Sequence, residues 1–242
     1  MGSLTGKRIL IIGCTSSVGE AILQESISCG GTILGTGRDE HRLSLLSSQN
    51  PGVPLFRVDL LDDRSTNQVI ESINNLDGVV FSVGGPSFRP IQYENTETIL
   101  DSVRSLYIGV ASFVSRLILA QKLNNGASIV FISSISGVSV GANGNSSYCA
   151  GKAALSGLTK ALALELSPKS IRVNSVCPGI LEMPKLRDTF PETVLNNILG
   201  QYPLKRFGQP KEIAKMTCFL LSDDCTWLTG QDIIIDGGYT IR

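Results

Sequence analysis

The sequence predicts a single α/β domain built on a seven-stranded, parallel, doubly wound sheet flanked by helices. Three observations predict it. Short apolar runs of strand length alternate with helical patterns along the whole chain. The runs are apolar throughout rather than alternating with polar residues, which marks strands buried on both faces. No linker, internal repeat or low-complexity tract breaks the rhythm, so residues 1–242 read as one domain.

Arg8 to Ile12 is the first strand, a short apolar run closed by Gly13. Val18 to Cys29 has helical spacing. Thr32 to Thr36 is the second strand, and Asp39 to Ser48 a polar helix. Leu55 to Val58 and Asp62 to Asn74 are the third strand and helix. Gly78 to Val83 is the fourth strand, stopped by Gly84-Gly85-Pro86. One long helix is expected from Thr96 to Leu123, then a fifth strand from Ala127 to Ser133. A helix follows from Ser146 to Leu166, and a sixth strand from Ile171 to Val176. Residues 178–203 are less regular, and Pro184 to Tyr202 is expected to form a lid over the substrate. Pro210 to Leu221 is a helix and Asp232 to Ile235 the last strand.

Composition excludes several functions. Lys+Arg and Asp+Glu each number 21, so the net charge is zero and no basic face for nucleic acid is expected. The chain is 42% hydrophobic and 17% charged, enough apolar content for a large core. No apolar run of membrane-spanning length is expected, nor a signal peptide. The six cysteines have no CxxC spacing, so no zinc site or disulfide framework is expected; they suit reduced thiols of a cytoplasmic protein. The one histidine, His41, sits in a polar stretch, and no G-x-S-x-G elbow accompanies it, against a serine hydrolase.

Two constellations carry chemistry. Gly13-Cys14-Thr15-Ser16-Ser17-Val18-Gly19 lies between the first strand and the first helix. Small residues there let the backbone approach a pyrophosphate, and the helix N-terminus supplies amides and a positive dipole end. A plain structural turn is the rival reading. The second strand ends at Arg38, where an arginine suits a 2′-phosphate and an acid suits a free 2′-hydroxyl; NADP(H) is therefore expected over NAD. Asp59 closes the third strand, where its carboxylate can accept an adenine amino group or cap a helix. The second constellation is Tyr148 and Lys152, four apart and so on one helix face, with Ser134 fourteen residues upstream. An ammonium beside the phenol is expected to lower its pKa, and a serine hydroxyl to hold the same substrate oxygen.

Taken together these residues resemble the short-chain dehydrogenase/reductase family, with its Rossmann fold, over essentially the whole chain. The similarity is closest to the branch of 3-oxoacyl-(acyl-carrier-protein) reductases. The segments that carry it are Gly13-xxx-Ser17-Val18-Gly19, Asp59, Phe81-Ser82-Val83-Gly84, Ile132-Ser133-Ser134, Tyr148-xxx-Lys152, Arg172 through Gly179, and Leu228-Thr229-Gly230-Gln231 through Asp236-Gly237-Gly238-Tyr239. The resemblance implies Tyr148 as proton donor or acceptor, Lys152 on the nicotinamide ribose, and Ser134 holding the substrate oxygen. Ser134 is preferred to Ser133 by its spacing to Gly137. The resemblance further implies a cofactor site of Gly13, Thr15, Ser16, Ser17, Val18, Gly19, Arg38, Asp59, Leu60, Ser82, Val83, Gly84, Tyr148, Lys152, Pro178, Gly179 and Leu181. Asn174 is read as structural.

Four positions depart from the family pattern. A glycine of the first turn is Ser17, and Asn-Asn-Ala-Gly has become Phe81-Ser82-Val83-Gly84. The Asn of the proton relay falls on Leu106, aligned through Gly109, and a nicotinamide-gripping Thr is Met183. The expected activity is NADPH-dependent reduction of a ketone or 3-oxo group on an apolar small molecule or a 3-oxoacyl thioester. Leu106 keeps open a catalytically weak cofactor-binding scaffold; an NAD-dependent alcohol dehydrogenase is a third reading, which Arg38 disfavours. The long helices are apolar over more than one stripe, so a homo-oligomer, as a tetramer, is expected.

Overall fold

The computed structural model describes residues 2–86 and 88–242; Met1 and Ser87 lie outside the described residues. Seven strands form one sheet: β1 (Arg8–Ile12), β2 (Thr32–Gly37), β3 (Leu55–Arg57), β4 (Leu76–Phe81), β5 (Leu123–Ile132), β6 (Arg172–Pro178) and β7 (Asp232–Ile235). Their order is β3-β2-β1-β4-β5-β6-β7 and every pairing is parallel. The helices are α1 (Ser17–Ser28), α2 (Glu40–Gln49), α3 (Asp63–Ser72), α4 (Thr96–Val103), α5 (Gly109–Leu119), α6 (Ile135–Val138), α7 (Ser146–Glu165), α8 (Pro184–Thr189), α9 (Glu192–Gly200) and α10 (Pro210–Leu221).

Strand residues face two cores in alternation, as the period of two requires. On β1, Leu10 and Ile12 enter one core with α5 and α7; Ile9 and Ile11 enter the other with α1 and α10. Both faces of the sheet are therefore covered, which is why the strands are apolar throughout.

Three expectations change. The helix from Thr96 does not reach Leu123. It ends at Leu119, Gln121 turns the chain at φ +53°, and Leu123 already pairs with Leu76 as the start of β5. Residues 184–202 are two helices, α8 and α9, rather than irregular chain. The helical run Thr96–Leu119 also contains an 18-residue window of mean hydropathy 1.3, long and apolar enough by length and composition to cross a membrane, contrary to the reading of the sequence. Its Val110, Phe113, Val114 and Leu117 are nonetheless buried against the sheet, as in a core helix.

Candidate active site

The strand order reverses between β1 and β4, so the loops leaving their C-terminal ends diverge and open a crevice. Gly13 and Ser82 meet there. Gly13 has φ +81°, and a Cβ on it would overlap the Ser82 carbonyl oxygen and lie 2.9 Å from its carbon, so only glycine fits. The Ser16 hydroxyl caps α1 by accepting from the Gly19 amide at 3.0 Å and donates to the Gly13 carbonyl at 2.9 Å. That cap leaves the first-turn amides of Ser17 and Val18, at the positive end of the helix dipole, for an anion. Thr15 and Ser16 line the crevice; Gly19 packs against Gly13 beneath it, and Val18 packs on the core.

The crevice is a cleft of about 550 Å³ running from Arg38 to Tyr148, a size that suits a bound organic cofactor. At its outer end Arg38 and Arg42 both line the wall, one helical turn apart. Asp39 is occupied: its carboxylate caps α2 by accepting from the Arg42 amide at 3.0 Å. Glu40 faces Arg57 at 4.0 Å. Asp59 and Leu60 line the same end, and the Asp59 carboxylate accepts from the Leu61 amide at 3.0 Å rather than capping a helix; Asp62 caps α3.

Ser82, Val83 and Gly84 form the middle wall with Leu106. Leu106 lies in a π-helical turn, Arg104–Ile108, between α4 and α5. Such single widened turns concentrate at functional sites, because the extra residue re-aims the side chains around it. Leu106 is 3% exposed and packs against Gly84 and Gly151 of the helix that carries Lys152. An apolar plug thus stands in the wall beside the helix that carries Tyr148 and Lys152.

The inner end holds the three expected polar groups together. Ser134 caps the short α6 by accepting from the Ser136 amide at 3.1 Å, and its hydroxyl is near enough to the Tyr148 phenol to lower that group's pKa. Both serines are buried; Ser133 donates to the Lys152 carbonyl at 3.0 Å. Lys152 is buried, its Nζ donating to the carbonyls of Ile132 at 2.8 Å and Val83 at 3.0 Å and lying 5.8 Å from the Tyr148 ring centre.

The expected lowering of the Tyr148 pKa is not what this geometry gives. Burial pushes the phenol above its ordinary value, and Ser134 only partly opposes it. The ammonium is turned onto two carbonyls rather than onto the phenol oxygen. Burial also lowers Lys152 to about 8, so it keeps its charge at neutral pH. The arrangement at pH 7 is a protonated phenol beside an ammonium, which can deliver a proton to an oxygen held by Ser134.

Pro178, Gly179 and Leu181, expected at the nicotinamide, do not line the cleft. Gly179 donates to the Ile235 carbonyl at 2.9 Å, tying Pro178 and Gly179 to β7. Leu181 is buried in the core under α10. Met183 packs against the same core. Residues 184–207 have a small core of their own, Leu195, Tyr202 and Phe207, and the Tyr202 hydroxyl accepts from the Ile180 amide at 2.8 Å. Asn174 is fully buried, donating to the Leu228 carbonyl at 2.8 Å and accepting from the Gln231 amide at 3.1 Å, in keeping with a structural role. Arg42 and Tyr202 carry no signal in the sequence; Arg42 joins Arg38 at the wall because α2 begins between them, with Asp39 as its cap. All six cysteines are free, and no cluster fit to hold a metal ion occurs among the described residues.

A family model described as enoyl-(acyl carrier protein) reductase matches residues 13–240. The chain belongs to the short-chain dehydrogenase/reductase family. It is 32% identical to a 3-oxoacyl-(acyl-carrier-protein) reductase of Thermotoga maritima over 98% of this chain and 99% of that one. It is 30% identical to the dehydrogenase/reductase SDR family member 6 of Rattus norvegicus over the full length of both. A short-chain dehydrogenase/reductase of Serratia marcescens superposes with a TM-score of 0.88 at 25% identity, covering 98% of this chain and 99% of that one. Members of this family are oxidoreductases that use NAD(P)(H). The residues here fit such a dinucleotide: the Gly13 turn leaves no room for a side chain, a helix N-terminus faces it, and the cleft ends at Tyr148.

Proposed function

We propose that the protein is an NADPH-dependent reductase of ketones or 3-oxo groups, with Tyr148 as the proton donor. The observation that carries the reading is the placement of Tyr148, with Lys152 5.8 Å from its ring and Ser134 close by, at the inner end of a cleft of about 550 Å³. Bound there, a reduced nicotinamide supplies hydride to the carbonyl carbon. Ser134 holds the carbonyl oxygen, and Tyr148 gives that oxygen its proton as it becomes an alkoxide. Lys152 stabilises the tyrosinate left behind and donates to the ribose. The Ser17 and Val18 amides would hold the pyrophosphate, and Pro178 and Gly179 would border the nicotinamide.

Direction and cofactor follow from charge. A phenol held protonated by burial is in the form that gives up a proton during reduction. Arg38 and Arg42, with Asp39 occupied in its cap, favour the 2′-phosphate of NADP(H) over the free hydroxyl of NAD. Tyr148→Phe keeps the ring and removes the proton, so NADPH-dependent reduction should fall at least about 10²-fold while NADPH still binds. Turnover unchanged in that variant refutes the assignment. Tight NADPH binding with no reduction of any ketone by the wild-type protein favours the scaffold reading, whose support is Leu106 in place of a relay amide. Equal affinity for NADH refutes the cofactor assignment.

The setting follows the same reading. A homo-oligomer is supported by apolar side chains left outside the fold, namely Leu119 and Leu164 on the long helices and Trp227, which is fully exposed. A monomer by light scattering at micromolar concentration refutes it. Free, mostly buried cysteines fit a reducing, cytoplasmic location.

A further inference from the structure

Leu106 is fitted against two glycines, and neither has room for a side chain beside it. A Cβ on Gly84 would overlap Leu106 Cδ2, and a Cβ on Gly151 would lie 2.8 Å from both Cβ and Cδ1 of Leu106. The two glycines are the chain neighbours of the two partners of one hydrogen bond. Gly84 follows Val83, whose carbonyl accepts from Lys152 Nζ at 3.0 Å, and Gly151 precedes Lys152. Leu106 itself is buried and lines the cleft with Tyr148. It is aimed there by the π turn, in which the Gly109 amide donates to the Arg104 carbonyl.

The two carbonyls that take the ammonium are held in different ways. Ile132 ends β5 and pairs with Val176, so the sheet fixes its carbonyl. Val83 lies beyond the end of β4. The Ser82 amide still donates to the Ile12 carbonyl at 2.8 Å. After it, among the described residues, the one hydrogen bond on the backbone of Val83 and Gly84 is the bond from Lys152. Gly84 has φ +77°, a conformation that costs glycine little and leaves the chain free to turn there. Packing therefore has to hold the Val83 carbonyl in place. The Val83 side chain rests on the core, and Leu106 presses on Gly84.

We propose that Leu106 is a positioning residue for Lys152: wedged between Gly84 and Gly151, it fixes the Val83 carbonyl against the ammonium and keeps water from that side. The inference rests on the reading of the cleft as an NADPH site and adds a residue that acts on the cofactor through Lys152. An ammonium has three donors, and two are fixed on carbonyls, so the direction of the third is set for the ribose. An ammonium kept from water also loses its proton more readily, in keeping with the lowering of Lys152 to about 8. The titratable groups that face it are the Tyr148 phenol on α7 and the Cys177 thiol on β6, both held protonated at neutral pH by burial. β5 and the segment after β4 face it with carbonyls. Leu106 thus sets the position of the charge without adding one.

The test is NADPH affinity, titrated by fluorescence with no ketone present, from neutral pH to well beyond the loss of the Lys152 charge near pH 8. Leu106→Ala should weaken binding at neutral pH by about fivefold or more, because the ammonium loses its fixed direction. It should also move the fall in affinity upward by about one pH unit or more, because water then solvates the charged form. Leu106→Val should do the same to a lesser degree, and it decides the matter should Leu106→Ala not fold. Leu106→Met refills the space and should restore both values. Gly151→Ala is the second arm. Its Cβ displaces Leu106, so it should weaken NADPH by about threefold or more in the wild-type background and have no effect in the truncated one. Profiles of wild type and the truncations that superpose, or a Gly151→Ala effect of equal size in both backgrounds, overturn the proposal, whatever happens to Tm. A wild-type protein that binds no NADPH overturns the cofactor reading and this inference with it. Tight NADPH binding with unmoved profiles sinks the wedge alone.

Discussion

Gly137→Ala should separate Ser134 from Tyr148 and slow the reaction without disturbing the cofactor cradle. Gly137 lies between the two in the chain and against α7 in space. Its φ is +92°, and a Cβ there would overlap the Cys149 carbonyl oxygen and lie 2.8 Å from the carbonyl carbon. Carbon atoms in good contact sit about 3.5 Å or more apart, so the start of α7 must move by about 0.7 Å or more. The residue that moves with it is Tyr148. A displacement near 1 Å at the reacting groups costs about 10²-fold in rate, so a 10- to 100-fold fall in kcat is expected. The backbone conformation adds about 1–2 kcal/mol for any residue with a Cβ, and the overpacking about 1–3 kcal/mol. For a domain of this size the sum lowers Tm by about 5–15 °C. NADPH affinity, set mainly by the turns after β1, β2 and β4, should change little. Gly157→Ala is the control: it lies on the same helix, a Cβ there would meet nothing within 4 Å, and it should raise stability by about 0.5–1 kcal/mol. The assays are steady-state kinetics, thermal melting and NADPH titration. A Gly137→Ala protein within about threefold of wild-type kcat would refute the placement of α7 against Ser134.

Lys152 loses its charge as the pH rises through about 8, so NADPH affinity should hold near pH 7 and then weaken, approaching tenfold per unit above that; affinity level to pH 9.5 refutes it. Glu212 is held at about 2, against an ordinary 4.5, chiefly by its pair with Arg206 and also by the Gln209 amide. Its stabilisation is therefore present above pH 4.5 and lost as the pH falls towards 2. The pair is half exposed, so the effect is under about 1 kcal/mol. Glu212→Gln should flatten the acid limb of a Tm-against-pH curve by a few degrees, and superposable curves contradict the assignment. Leu106→Asn should cost about 1–3 kcal/mol of stability, because a buried apolar contact on Gly84 and Gly151 is replaced by an amide. If proton return to Tyr148 limits the rate, that variant also turns over faster with a smaller solvent isotope effect; an unaltered rate and isotope effect show that another route supplies the proton.

What the sequence disclosed was whatever depends on neighbours along the chain. β1, α10 and β7 fall on the residues expected, because sharp breakers bound each one: Gly13, Pro210 and Leu221-Ser222, Gly237-Gly238. The meeting of Ser134, Tyr148 and Lys152 was legible for the same reason, as a spacing on one helix and one strand end. The end of α5 was not legible. Leu119 and Leu123 continue a helical apolar spacing, and only the pairing of Leu123 with Leu76 makes the second of them a strand residue. The helices α8 and α9 are not legible because they are short and their partner, Tyr202, lies beyond the second of them. The π turn at Leu106 leaves no periodicity that sequence reading can detect, since one extra residue shifts the phase without erasing it.

The phenol is the sharpest case, because the same spacing supports opposite conclusions. Four residues on a helix put Lys152 next to Tyr148, and from proximity alone an ammonium should acidify a phenol. Burial acts on both groups in opposite senses, raising the phenol and lowering the ammonium. The lysine is then the stronger acid of the two and titrates first as the pH rises. Two of its three donors are held by Val83 and Ile132, and one is left for a ligand. A proton delivered from Tyr148 leaves a tyrosinate whose nearest cation is that ammonium, 5.8 Å from the ring centre. Whatever stabilisation that ammonium gives the tyrosinate is already part of the Tyr148 pKa, and burial outweighs it. This favours the pair as an acid for reduction, and with Leu106 closing the adjacent wall it makes the return of the proton to Tyr148 the step most exposed to substitution.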